Sequence, residues 1–148
     1  MKNKVIIITG AAMGLGLAAA KVIAEKGANL VLVDFNEEQL KESVDQLKKD
    51  FPNIEILSLI ADVSNEEQVK NYVDKAVEKF GRIDGLYNNA GIEGRQAPLT
   101  TYDIDVFKKV IDINLMGVYY GLKYVIPVMQ KQKYGRIVNV ASVGGIRG

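Results

Sequence analysis

The sequence TGAAMGLG, residues 9–16, lies between the apolar run VIII at residues 5–8 and the alanine-rich segment LAAAKVIA at residues 17–24. The β-branched run is typical of a buried strand, and the alanine-rich segment contains strong helix formers with no breaker before Gly27. Glycines let a backbone approach an anion closely, and the free N–H groups at a helix start attract negative charge. The loop has no Lys followed by Ser or Thr, so it is not a Walker-type loop. The pattern favours another kind of phosphate-binding turn, with a plain strand-to-helix turn as the alternative.

The composition is that of an ordinary globular domain. Of the 148 residues, 48% are apolar and 25% are charged, and the net charge of +1 predicts no nucleic-acid partner. The chain has no Cys and no His, so we expect no metal site, disulfide or His-containing triad, and acid–base chemistry must use Tyr, Lys, Ser or carboxylates. No uncharged apolar stretch reaches transmembrane length, and residues 1–4 run into a strand rather than a signal segment. We expect a cytoplasmic protein with no membrane partner.

A carboxylate ends the second predicted strand, NLVLVD at residues 29–34. Asp34 follows Gly16 by roughly the 20 residues that separate the glycine loop from the ribose-binding acid in dinucleotide-binding βαβ units. A turn-forming Asp is the alternative, but the preceding glycine loop favours the ribose role. Because this carboxylate would repel a 2′-phosphate and no Arg or Lys occurs at residues 10–16, NAD is favoured over NADP.

Helical and strand patterns alternate along the rest of the chain. Ser64 and Glu67 predict a capping box for the third helix, and Pro127 is a candidate bend in the last one. The alternation predicts an α/β fold with one domain over residues 1–148, a three-layer doubly wound Rossmann parallel sheet of about five strands in the order 3-2-1-4-5. The further predicted helices are at residues 36–51, 64–80 and about 103–132, and the further predicted strands are at residues 54–61, 83–87 and 136–142.

In the usual winding, the strand order reverses between the first and fourth strands and opens a ligand crevice at their carboxyl ends. The glycine loop and the turn NNAG at residues 88–91 flank this crevice from opposite sides. One turn supplies amide donors and the other supplies Asn side chains, while Ser142 ends the fifth predicted strand with a hydroxyl. The sequence therefore predicts a binding site at this edge of the sheet.

This combination of motifs resembles the short-chain dehydrogenase/reductase family of the T-G-x-x-x-G-x-G type, and the resemblance spans the whole chain. The family's NNAG is matched at residues 88–91, its Asp-Val at Asp62 and Val63, its helix Asn at Asn114 and its strand-five Ser at Ser142. The resemblance implies an NAD-dependent oxidoreductase that transfers hydride between the nicotinamide and a small-molecule alcohol or carbonyl substrate.

The resemblance also implies a role for individual residues. It assigns backbone contacts with the cofactor to the glycine loop, ribose binding to Asp34, adenine recognition to Asp62 and Val63, and support of the sheet to Asn88. The residues that it implies for cofactor binding are Gly10, Gly14, Leu15, Gly16, Asp34, Asp62, Val63, Asn89, Ala90 and Gly91.

In such enzymes a Tyr transfers the hydroxyl proton, and the Lys of a Y-x-x-x-K pattern lowers the Tyr pKa. Ser orients the substrate oxygen and Asn supports a proton relay, and Ser142 and Asn114 match these catalytic roles. The family's Tyr and Lys lie downstream of the Ser, so we expect a C-terminally truncated fold with an exposed fifth strand and no activity of the chain alone. One Y-x-x-x-K pattern, from Tyr119 to Lys123, lies upstream in a predicted helix, where we expect helix surface or core.

Two alternative hypotheses come from other classes of protein. The first is a non-catalytic module that binds or senses NAD. The second is an S-adenosylmethionine-dependent methyltransferase, which shares a glycine-rich first loop and an acid after the second strand but explains neither the glycine spacing nor NNAG. The family resemblance adds a homo-oligomer to the expected partners and leaves the substrate open among sugars, steroids, acyl thioesters and simple alcohols.

Overall fold

The computed structural model describes residues 1–142. Within this range, five strands and five α-helices follow one another, with one 3₁₀ turn and one π-helical segment between β4 and α5. The elements in chain order are β1 (Val5–Thr9), α1 (Gly14–Glu25), β2 (Asn29–Asp34), α2 (Glu37–Asp50), β3 (Ile56–Ile60), α3 (Glu66–Phe80), β4 (Gly85–Asn88), the 3₁₀ turn Leu99–Thr101, α4 (Ile104–Ile111), the π-helical segment Asp112–Met116, α5 (Gly117–Lys131) and β5 (Arg136–Asn139).

The strands form one parallel sheet in the order β3-β2-β1-β4-β5, which confirms the predicted topology. Ile7 in the central strand pairs with Val31 of β2 on one side and with Leu86 of β4 on the other. The chain first winds outward through β2 and β3 and then returns to the other side of β1. The carboxyl ends of β1 and β4 therefore border the switch point, where doubly wound sheets bind ligands.

Alternate residues of β1 belong to two different cores, because successive side chains of a strand point to opposite faces of its sheet. Ile7 packs with buried residues of α3 and α5, whereas Ile6 and Ile8 pack with buried residues of α1 and α2. All five β1 residues are buried. This two-sided burial explains why the strand is a continuous apolar run rather than an alternating one.

The predicted bounds of three strands were wrong because pairing with a neighbour limits each strand. β3 spans Ile56–Ile60 rather than residues 54–61, and its paired residues match Leu30–Asp34 of β2. β4 begins at Gly85, opposite Ile6, instead of at residue 83. β5 ends at Asn139 instead of residue 142, because its partner β4 ends at Asn88, the residue paired with Asn139.

The predicted capping box of α3 was also wrong. Asn65 is the N-cap, and its side-chain oxygen accepts a hydrogen bond from the Gln68 amide at 3.1 Å. The Ser64 hydroxyl instead donates to Oδ1 of Asp62 at 2.7 Å. The Ser64 hydroxyl is thus bound to Asp62, two residues upstream, and Asn65 caps the helix in its place.

The predicted helix at residues 103–132 is divided by the π-helical segment Asp112–Met116. Pro127 lies inside α5, which continues to Lys131, so the interruption falls at the π-helical segment and not at the proline. None of the helices within residues 1–142 is long and apolar enough to cross a membrane.

β5 lies at one edge of the sheet formed by the described residues, and Val138 and Val140 are exposed there. Exposed apolar side chains also follow one another along α4, the π-helical segment and α5. They are Ile104, Phe107, Ile111, Leu115, Tyr119 and Ile126.

A buried carboxylate ties the amino end of β1 to the segment before β4. Asp84 accepts hydrogen bonds from the Val5 amide at 3.0 Å, from Nε of Arg82 at 2.7 Å and from Nζ of Lys4 at 3.2 Å. Burial alone would raise the pKa of Asp84, but the hydrogen bonds from Arg82, Val5 and Lys4 outweigh it and hold the pKa below its ordinary value.

We expect Asp84→Asn to lower the free energy of unfolding by about 2 kcal/mol at pH 7, because the variant loses hydrogen bonds to a charged acceptor. The folded pKa lies below the unfolded value of about 3.9, so the carboxylate stabilises the fold above that pH and its contribution disappears as the pH falls through the folded pKa. The difference in urea unfolding between parent and variant should therefore be larger at pH 7 than at pH 3, which lies below the unfolded pKa of about 3.9. Asp74→Asn, at an exposed ion pair with Lys70, is the control. An equal difference at both pH values would contradict the assignment.

The side chain of Tyr72 is buried between α3 and the sheet, and within residues 1–142 its hydroxyl has no hydrogen-bond partner. Burial raises the pKa of Tyr72. We expect Tyr72→Phe to raise the free energy of unfolding by about 1 kcal/mol, because it removes an unpaired buried hydroxyl and keeps the ring. Urea unfolding measures the change. Tyr124→Phe is the matched control, since the Tyr124 hydroxyl donates to Glu66 at 2.7 Å and its loss should not stabilise the protein. A less stable Tyr72→Phe protein would contradict the prediction.

Candidate functional site

A cavity of about 360 Å³ opens at the carboxyl ends of β1, β2 and β4. Every residue that the sequence predicted for cofactor binding lines it except Gly14 and Gly16, which lie in the first turn of α1. Sequence reasoning missed other residues of the wall. These are Ala12, Met13, Val33, Phe35, Asn36, Gln39, Ala61, Ile92 and Ile113. Except for Gln39, these residues lie within two positions of a motif residue, and this was the one available signal.

The first turn of α1 lies beside this cavity, with Leu15 in its lining, and presents backbone donors there. The helix begins at Gly14, and its N-cap Met13 makes no side-chain capping hydrogen bond. The amides of Gly14, Leu15 and Gly16 therefore have no intrahelical acceptor, and the positive end of the helix dipole lies beside them. By contrast, the side chains of Asn36, Asn65 and Asp103 cap α2, α3 and α4.

Two glycines allow α1 to start against the end of β1. A Cβ on Gly16 would lie 2.0 Å from the Gly10 carbonyl oxygen, so only glycine fits there. Gly10 itself has a φ of 66°, and a Cβ on it would lie 3.0 Å from the Ala90 Cα. Gly14 also has a positive φ, 54°, but apart from its chain neighbours and the backbone of its own helix no atom lies within 4 Å of its Cβ position. The backbone of the loop is thus tightly packed at Gly10 and Gly16 and open at Gly14.

Asp34 ends β2 at the cavity wall and is 7% exposed. One carboxylate oxygen accepts from the Ala12 amide at 2.9 Å and the other from the Asn36 amide at 3.1 Å. Each oxygen can accept one further hydrogen bond, so the carboxylate can hold a diol. Among the described residues, no Lys or Arg lines the cavity.

The turn after β4 is bound to the glycine loop through Thr9. The Thr9 hydroxyl oxygen accepts from the amides of Asn89 and Ala90, both at 3.0 Å. The Asn89 side-chain amide donates in return to the Thr9 carbonyl at 3.1 Å. The Asn88 side chain lies between β4 and α5, where its amide donates to the Val118 carbonyl of α5 at 3.1 Å. These bonds fix the two sides of the crevice relative to each other.

Asp62 and Val63 follow β3 on the third side of the cavity. The Asp62 Oδ1 accepts from the amide and the hydroxyl of Ser64. Val63 is buried, and a Cβ on Gly117 would approach its Cγ2 to 2.8 Å, so α5 packs directly on this residue. The position of the Asp-Val pair therefore depends on α5 as well as on β3.

Neither Asn114 nor Ser142 lines the cavity. Asn114 lies in the π-helical segment and exchanges two hydrogen bonds with Ile92, from the Ile92 amide to Oδ1 and from Nδ2 to the Ile92 carbonyl, each at 2.9 Å. This pairing holds the chain directly after Gly91. Ser142 lies beyond the end of β5 with a φ of 60°, a left-handed conformation that is uncommon outside glycine. Residues 143–148 lie outside the described part of the chain.

The Y-x-x-x-K pattern of α5 lies on the helix surface. Tyr119 is 53% exposed. Nζ of Lys123 lies 2.6 Å from Oε1 of Glu66 on α3, and this hydrogen bond raises the pKa of Lys123 and lowers that of Glu66. Within residues 1–142, no group of three or more Asp and Glu side chains is placed to hold a metal ion.

Comparison with known proteins identifies the family of the chain. The model of the short chain dehydrogenase family matches residues 4–148. The chain belongs to the short-chain dehydrogenase family. The levodione reductase of Leifsonia aquatica, one relative, is 49% identical over 146 residues, which are 99% of this chain and 55% of the relative.

Two crystal structures of similar proteins extend the comparison. A levodione reductase structure has a TM-score of 0.97 and 48% identity, and the match covers 100% of this chain and 57% of that one. The structure of an NAD⁺-bound xylitol dehydrogenase has a TM-score of 0.94 and 41% identity, and the match covers 99% of this chain and 56% of that one. This short-chain dehydrogenase chain thus spans about half the length of the curated relatives it matches.

We expect Gly16→Ala to lower the free energy of unfolding by about 3 kcal/mol, because the new methyl group would overlap the Gly10 carbonyl and displace α1. Gly14→Ala should cost about 1 kcal/mol, since its Cβ meets open space and only the left-handed φ opposes it. Urea unfolding of the two variants measures the difference. Equal losses would show that backbone conformation, and not close packing, demands glycine in this loop.

Proposed function

We propose that the protein is an NAD-dependent oxidoreductase that transfers hydride between the nicotinamide and an alcohol or carbonyl substrate. The observation that supports this most is the cavity on the family's fold, bordered by the uncapped start of α1, the Asp34 carboxylate and the turn at residues 88–91. The names of two relatives, levodione reductase and xylitol dehydrogenase, support a small-molecule substrate of this class.

The donor set of the glycine loop fits a diphosphate. The amides at the start of α1 need acceptors, and the helix dipole favours negative charge at the same place. The open space in front of Gly14 lets a ligand reach the backbone without meeting a side chain. These features support pyrophosphate binding by Gly10, Gly14, Leu15 and Gly16.

The negative charge of the Asp34 carboxylate supports NAD over NADP. A ribose diol can donate to the free acceptor positions of the carboxylate, whereas a 2′-phosphate would bring negative charge to a buried negative group. No cation of the described residues lines the cavity to offset that repulsion. Asp62, Val63, Asn89, Ala90 and Gly91 would then enclose the adenine and the rest of the cofactor.

When bound, the nicotinamide would supply or accept the hydride. For this chain we propose that Ser142 orients the substrate oxygen and that Asn114, through Ile92, holds the wall of the crevice and supports proton relay. Proton transfer needs a Tyr–Lys pair other than Tyr119 and Lys123, because Lys123 is bound to Glu66 and Tyr119 lies on the exposed face of α5. We accordingly propose that residues 1–148 alone bind the cofactor but do not turn it over.

Calorimetric titration of the chain with NAD⁺ and with NADP⁺ tests the proposal. We expect NAD⁺ to bind at least about tenfold more tightly, since close repulsion of a 2′-phosphate exceeds the 1.4 kcal/mol that a factor of ten requires. Asp34→Asn should weaken NAD⁺ binding and reduce the preference, whereas Asp105→Asn, on the exposed surface of α4, should change neither. Equal affinities for the two cofactors in the parent chain would contradict the assignment of Asp34.

Absorbance of the reduced cofactor in the presence of secondary alcohols tests catalysis. The same assay applies to a longer chain that carries the downstream Tyr and Lys of the family. NAD binding without turnover by that longer chain would favour the non-catalytic NAD-binding or sensing module. Turnover by residues 1–148 that is lost in Tyr119→Phe would show that the α5 tyrosine is the proton donor after all.

A further inference from the structure

The Ala12 residue of the glycine loop is held at both of its backbone polar groups. Its amide donates to Oδ2 of Asp34 at 2.9 Å, and its carbonyl accepts from the Ser43 hydroxyl at 2.8 Å. Ala12 is buried and lines the cavity, between the two positive-φ glycines of the loop. Ala12 is therefore held in place by one residue of β2 and one residue of α2.

Ser43 is an unusual residue for its place. It lies in the middle of α2, is only 9% exposed and has the buried apolar residues Leu40, Val44 and Leu47 on the same face of the helix. Serine is a weaker helix former than alanine, and a buried hydroxyl needs a partner. Serines within helices often donate to a carbonyl one turn back, but this one donates to a residue 31 positions away in the chain.

Peptide geometry links this hydrogen bond to the cavity. The Ala12 carbonyl and the Met13 amide belong to one planar trans peptide unit, so the C=O and the N–H point in opposite directions. Ser43 draws the carbonyl toward α2, which directs the Met13 N–H to the other side of the loop, where Met13 lines the cavity. Within residues 1–142 this N–H has no hydrogen-bond partner.

We propose that Ser43 is a positioning residue of the cofactor site, which fixes the peptide unit between Ala12 and Met13 so that the Met13 amide faces the diphosphate. The inference rests on the proposed function, because it assigns the cavity to a ligand with a diphosphate. Without the hydroxyl, the Ala12 carbonyl loses its partner and this peptide unit can rotate, which would turn an acceptor toward the anion in place of a donor.

Calorimetry of the 148-residue chain with two ligands tests this role. NAD⁺ contains the diphosphate, whereas adenosine contains only the base and ribose and serves as the probe of the other end of the cavity. In Ser43→Ala we expect the Kd for NAD⁺ to rise about fivefold to tenfold, the value of one hydrogen bond, and the Kd for adenosine to stay within about twofold. Ser43→Cys, which keeps the shape of the side chain and weakens the donor, should change the two Kd values in the same way.

Ser58→Ala, at an exposed position of β3, is the matched control and should leave both Kd values unchanged. Equal losses of affinity for NAD⁺ and adenosine in Ser43→Ala would overturn the inference, because a general loosening of the fold affects both ends of the cavity. An unchanged Kd for NAD⁺ would also overturn it, whatever the change in melting temperature. Failure of the parent chain to bind NAD⁺ would instead overturn the proposed function, and this inference with it.

Discussion

The close approach of the Gly10 carbonyl to the backbone of Gly16 is the constraint on which the rest of the site depends. A methyl group on Gly16 would lie 2.0 Å from that oxygen. Because glycine has no such group, α1 can start directly against the end of β1. Only this placement brings the uncapped amides of α1 to the carboxyl edge of the sheet. The positive end of the helix dipole then lies at the switch point of the strand order, and the phosphate-binding end that we propose for the cavity depends on this arrangement.

The walls of the cavity are held by hydrogen bonds that leave little freedom for rearrangement. Thr9 joins the glycine loop to the turn after β4, and Asp34 joins it to the end of β2. Asn114 holds the following segment through Ile92. A site whose backbone is already ordered loses less conformational entropy when a ligand binds. Asp34 thereby combines two tasks, since the carboxylate proposed to hold the ribose also anchors the loop.

Local residue patterns were sufficient for much of this description. The apolar run of β1, the glycines after it and Asp34 at the end of β2 predicted the βαβ unit, and the alternation of patterns predicted the strand order, which the structure confirms. The errors have a common cause. β5 was predicted to reach Ser142 although pairing ends at Asn139, and α3 was assigned to a Ser64 cap although Asp62 engages that hydroxyl. Each boundary depends on a neighbouring segment that local pattern does not reveal.

Residue types alone therefore decide the order of the elements, the family and the glycine and carboxylate positions at the crevice, because each is encoded within a few adjacent residues. Tertiary structure decides what those side chains do to one another. It pairs Lys123, the lysine of the one Y-x-x-x-K pattern, with Glu66. It also places a π-helical turn where Asn114 binds Ile92. Finally, it brings the Ser43 hydroxyl to the Ala12 carbonyl. These partners lie far apart in the chain and meet only when the layers pack, so no spacing in the sequence could predict their contacts.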